Sequence, residues 1–209
     1  MGLEQQLLFD ISRCSYCPLG ANQNYCSPTI SHSADTFLIL ESPNQTACQD
    51  NNGWRHSGAS FLSKAIMHAT GQALSSFHLS FLMKCHCHIS GNVPTVKEKK
   101  TWGRVCASHY LEWELKGIHP KRIILFGEVV AGVCFPDHTD PWNELIGKEL
   151  FLNPMEIQTH VLESPSSIVA KGGMNSAEGK EFVEKLHAIL GGTLSLPDEA
   201  QESNLFDFF

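Results

Sequence analysis

No stretch of the 209 residues stays apolar long enough to cross a membrane. The start of the chain, Met1-Gly2-Leu3-Glu4-Gln5-Gln6, lacks the basic opening and apolar centre of a secretory leader. The expectation is an intracellular protein of cytoplasm, nucleoid or nucleus, a monomer with no membrane partner. Positive charge is scarce as well: 15 Lys and Arg stand against 22 Asp and Glu, giving a net charge of −7. That excludes a broadly basic nucleic-acid surface, because phosphate contacts need Lys and Arg. Local basic runs remain at Lys97, Lys99, Lys100 and Arg104, and at Lys116, Lys121 and Arg122. There is no internal repeat. There is also no second C-x-x-C pair, which a zinc ribbon usually shows.

What the chain does have is eight cysteines. Without a secretory leader they suggest a reducing compartment and a metal site rather than disulfides. Cys14 and Cys17 form a tight C-x-x-C, while Cys85 and Cys106 stand far away, each in a different predicted element. A cluster bound that way would staple an N-terminal arm to a folded body. Thiolates hold either tetrahedral zinc or an iron–sulfur cubane, and spacing alone leaves both open. Cys85-His86-Cys87-His88 could add zinc ligands, but ligands so close would strain one tetrahedron.

The length suits one α/β domain with a sizeable core. Apolar runs of strand length fall at 36–40, 77–84 and 122–126, and 150–152 with 157–162 reads as a strand pair. Helical patterns cover 3–12, 58–69, 95–117, 128–133 and 177–190, with open loops at 44–57 and 136–147. Strands alternating with helices predict a three-layer α/β/α sandwich around a mainly parallel sheet. The domain is expected over 1–192, followed by an acidic, flexible tail over 193–209. Ligands of such sheets bind beyond the carboxyl ends of the strands. The loops at 41–58, 84–94, 127–128 and 163–168 are therefore expected to share the functional edge.

The order of motifs carries a resemblance. Cys14-x-x-Cys17-Pro18-Leu19 is followed by a strand ending in Glu41-Ser42-Pro43, then a helix. Lys84-Cys85 follows the second strand, Cys106 stands in a helix, and Ile123-Ile124-Leu125-Phe126-Gly127 and Ser164-Pro165-Ser166 come later. Over roughly residues 10–190 this resembles the uracil-DNA glycosylase superfamily, and within it family 4, whose members carry a 4Fe–4S cluster. The resemblance implies Cys14, Cys17, Cys85 and Cys106 as ligands of that cluster, and moves the metal from zinc to iron–sulfur. It implies Glu41 as the catalytic residue and Ser42, Pro43, Asn44, His56, Phe81, Ser164 and Ser166 as positions that contact base or DNA.

Several of those positions depart from the family pattern. Asn44 replaces a glycine of the first motif. His56 stands where the family stacks an aromatic ring on the flipped base, and Phe81 where an Asn reads the uracil edge. Ser164 stands where a His stabilises the departing base. Donors aimed at such a developing anion contribute about 3–4 kcal/mol each. His56, His86, His88 and Trp54 are expected near the same edge and are candidates to compensate. Two functions follow: a glycosylase with altered base choice, or a catalytically degenerate relative that serves as a DNA-binding or accessory factor.

The last residues, Leu205-Phe206-Asp207-Phe208-Phe209, end a polar stretch. An apolar cluster there marks an interface. It resembles the sliding-clamp peptide of replication and repair proteins, with Glu202 in place of the usual Gln and Leu205, Phe208 and Phe209 as anchors of one helical turn.

Overall fold

The computed structural model describes residues 2–20, 24–31, 34–56, 58–87, 93–153 and 155–191. The tail and His88 lie outside these residues. Its centre is a five-stranded sheet of β1 (Thr36–Leu40), β2 (His78–Phe81), β3 (Arg122–Phe126), β4 (Glu149–Leu152) and β5 (Ile157–Leu162), in the order β2-β1-β3-β5-β4. β2, β1, β3 and β5 run parallel, and β4 pairs antiparallel with β5 at one edge. All five residues of β1 are buried, as an apolar run in the middle of a two-sided sheet requires.

The two-residue period of the strands sorts their side chains between two cores. Leu38, Leu40, Ile124, Phe126 and Leu162 meet α3 (Ala59–Thr70) and α9 (Ala177–Leu190) on one face. Phe37, Ile39, Ile123, Leu125 and Val161 meet α5 (Glu112–Ile118) and α6 (Glu128–Cys134) on the other. That is the expected sandwich. A third core joins α1 (Leu3–Ser12) to the helix before α5 through Leu7, Ile11, Leu19, Met83 and Tyr110.

The expected helix at 95–117 is one rod with a change of pitch. α4 (Val96–Cys106) starts with a capping box, Thr95 and Glu98 each bonding the other's backbone N–H. Residues 107–111 form a π-helical turn before α5 continues. A π turn inside a helix is rare and often marks a functional position. Here it follows Cys106 directly.

Two expected loops contain helices. Within 44–57 lie α2 (Gln45–Gln49) and a 3₁₀ turn at Gly53–Arg55. Asn44 Oδ1 accepts from Ala47 N at 2.9 Å and Asn52 Oδ1 from Trp54 N at 3.0 Å, so two asparagines cap what read as polar linker. Within 136–147 lies α7 (Trp142–Leu145). α8 (Pro165–Ala170) follows β5, with Ser164 at its N-cap and Pro165 as first residue.

Candidate functional site

Cys14 and Cys17 follow the end of α1. The loop doubles back so closely that any side chain at Gly20 would collide with the Cys14 carbonyl. Cys85 follows β2, where it pairs with Tyr25, and Cys26 N donates to Lys84 O at 2.8 Å. Cys106 is the last residue of α4. The backbone N–H of Lys84 donates to its Sγ at 3.3 Å. All four cysteines line one small hollow, partly open to solvent, with Ile11, Leu19, Met83, Lys84 and Tyr110.

These thiols crowd one another in apolar surroundings. Burial pushes the Cys85 thiol up, and negative charge on Cys106, Cys17 and Cys14 pushes it further. Burial raises Cys106 to about 12, with the Lys84 charge pulling in the other direction. Thiols raised as Cys85 and Cys106 are become thiolates only when a cationic centre takes them. Among the described residues no group of three or more His, Cys, Asp or Glu side chains is arranged to hold a metal ion. The donor set, four cysteine sulfurs lining one hollow, has the chemistry of a thiolate-held centre, whether zinc or iron–sulfur.

The other four cysteines do not line the hollow, although Cys87 packs in the same core. Burial holds the thiols of Cys26 and Cys134 at about 12 and those of Cys48 and Cys87 at about 11, so all are protonated near neutrality. The backbone N–H of His86 donates to Asn24 O at 2.8 Å, which fixes the Cys85–Cys87 stretch against the arm.

At the carboxyl edge of the sheet, Glu41 follows β1 and its carbonyl accepts from Met83 N at 3.0 Å. Its carboxylate forms an ion pair with Lys99 on α4, Nζ to Oε1 2.7 Å. Ser42 hydrogen-bonds the Cys87 thiol, Pro43 is buried, and Asn44 is used as the cap of α2. His56 lies farther along the same connection. Its Nδ1 accepts from Gly58 N at 3.0 Å, which leaves Nε2 to carry the proton. Burial lowers its pKa to about 4, so the ring is neutral at ordinary pH.

The edge is assembled by close approaches. A side chain on Gly58 would meet Pro165 and Ser166 at 3.0 Å, and one on Gly127 would meet Ser164 at 3.4 Å. Gly127 also takes φ of 96°, where any other residue is strained. Gly58 and Ser166 are therefore neighbours, and Ser164 stands beside the turn after β3. Glu41 instead faces α4.

Phe81 is fully buried in the core, its ring 5.9 Å from that of His56, so it supports the edge from beneath. Trp54, half-buried, packs against the same core. Half of the basic run on α4 is paired: Lys99 with Glu41 and Lys100 with Glu128 at 3.0 Å. A residue the sequence reading passed over is Lys84. Its charge is buried against Glu114, and the signal was a lysine at the end of an apolar strand.

Comparison of the chain with protein-family models and with curated proteins gives no match.

Proposed function

We propose that this chain is a DNA glycosylase of the iron–sulfur uracil-DNA glycosylase type, acting on a flipped damaged or deaminated base. One observation carries the reading: three distant segments bring Cys14, Cys17, Cys85 and Cys106 to one hollow, beside the sheet edge that holds Glu41. The motif order and this placement support each other.

In that reading a 4Fe–4S cluster bound by the four cysteines supplies a cross-link between the arm and the body. The flipped nucleotide lies against the carboxyl edge. Glu41 orients water toward the sugar carbon, accepts its proton as the oxygen–carbon bond forms, and the base departs with the electrons of the broken C–N bond. His56, neutral and protonated on Nε2, donates to the departing base in place of the absent family His. The short connections around Gly58 and Gly127 hold Ser164 and Ser166 at the rim.

One observation favours the second reading, an accessory DNA-binding protein without catalysis. Phe81 closes from below the position where a base-reading amide stands in the family. The test is a glycosylase assay on single- and double-stranded oligonucleotides carrying a panel of modified bases. Excision of any base that is lost in Glu41→Gln supports the enzyme. DNA binding with no excision from the whole panel supports the accessory protein.

A further inference from the structure

Lys84 and Glu114 are 1 % and 0 % exposed, with Nζ and Oε1 2.6 Å apart. Nζ also donates to Ser80 Oγ at 2.7 Å and to Phe81 O at 2.6 Å. Glu114 Oε1 meets the ammonium at ion-pair distance outside hydrogen-bond geometry, and Oε2 has no hydrogen-bond partner among the described residues. Such a pair is an inefficient way to stabilise a core, because desolvation offsets most of the attraction and apolar residues of the same volume serve as well. Its orientation suggests another role. Lys84 lines the cysteine hollow and Glu114 does not. The Lys84 N–H holds the Cys106 sulfur, and the Lys84 charge reaches Cys106 and Cys26.

We infer that Lys84, oriented by Glu114, is a positioning residue of the cysteine site: its backbone N–H fixes the Cys106 sulfur and its buried ammonium keeps the positive end of the ion pair on that side, so that the site favours an anionic centre. The inference rests on the reading that the site holds an iron–sulfur cluster. Glu114 limits the effect by drawing the ammonium back. The two residues therefore act in opposite directions on a cluster's reduction potential, which a purely structural pair would not do.

The experiment uses the full chain purified without oxygen. Iron per chain, helical content, reduction potential by optical titration and bleaching by a chelator are measured for wild type, Glu114→Gln and Lys84→Met/Glu114→Gln. Lys84→Met alone would leave a buried, unpaired carboxylate and Glu114→Gln alone a buried ammonium without its counter-charge, so each single variant is prone to unfold and the double variant keeps the inference testable. Glu114→Gln should shift the potential upward, because the ammonium loses its counter-charge. The double variant should fold, shift the potential below that of wild type, and bleach several-fold faster. A folded, iron-loaded double variant that keeps the wild-type potential would overturn this inference alone. A wild-type chain without iron would overturn the cluster reading and this inference together.

Discussion

Lys99 reaches from the start of α4 to the carboxylate of Glu41, Nζ to Oε1 2.7 Å, and so ties the helix that ends in Cys106 to the end of β1. The pair is partly exposed, 23 % and 31 % at its two side chains, so its contribution to stability is small, about 1 kcal/mol or less. Its interest is geometric: it fixes where the Glu41 carboxylate points.

Glu41→Gln and Lys99→Met should therefore each change unfolding free energy by less than about 1 kcal/mol in urea titrations. In single-turnover assays on a responsive base, Glu41→Gln should slow excision by a hundredfold or so, with DNA affinity kept. An unchanged rate would remove Glu41 from the chemistry.

Protein purified without oxygen should be brown and carry about four irons per chain. Cys17→Ser and Cys106→Ser should lower that content, and Cys134→Ser, whose thiol packs beside the second core, should not. Stoichiometric zinc in place of iron would refute the cluster.

His56 links the edge to acid stability. Its folded pKa, about 4, lies below the unfolded value of 6.5, so the unfolded chain binds the proton first. Stability is complete above pH 6.5 and falls as pH drops toward 4, by at most about 3 kcal/mol from this residue. His160, whose pKa is also lowered by burial, adds a loss of the same sign. Denaturant midpoints measured from pH 7 to pH 4 should show the decline, and His56→Asn should flatten it.

Phe81→Ala should cost about 3–5 kcal/mol, the usual effect of emptying a buried aromatic site, whereas Phe151→Ala, at a side chain 55 % exposed, should stay within about 0.5 kcal/mol. Equal effects in thermal or urea unfolding would show that the core beneath His56 is not as described.

The tail prediction concerns residues outside those described. A peptide covering 198–209 should bind the host's sliding clamp with roughly micromolar affinity, about −8 kcal/mol, by calorimetry. The Phe208→Ala/Phe209→Ala peptide should not bind. Equal binding by both would assign the phenylalanines to the domain's own surface.

The strands were legible because each is a compact apolar run, and the same alternation that marked them divides Leu38 from Ile39 and Ile124 from Leu125 between two cores. α1 and α9 were readable to their ends from periodicity. α2 and α8 were not, because both are short and their signals, Asn44 and the Ser164-Pro165 pair, had been assigned to a binding motif. The gathering of the four cysteines was legible from their order. The Lys99–Glu41 and Lys84–Glu114 contacts were not, since a pair formed between distant segments leaves no periodic trace. The full burial of Phe81 was not legible, because position in a motif says nothing about depth beneath the surface.

The docking of α1 also sets a timetable for the nascent chain. Tyr110 Oη donates to Asp10 O at 3.4 Å across 100 residues of sequence. At about 5–20 residues per second of synthesis, α1 waits about 5–20 s for the surface that receives it. During that interval Leu7 and Ile11 have no core, and Cys14 and Cys17 are held on a short tether without their distant partners. α1 is thus made well before the surface that secures it, and its capture coincides with the gathering of Cys106 to the other cysteines.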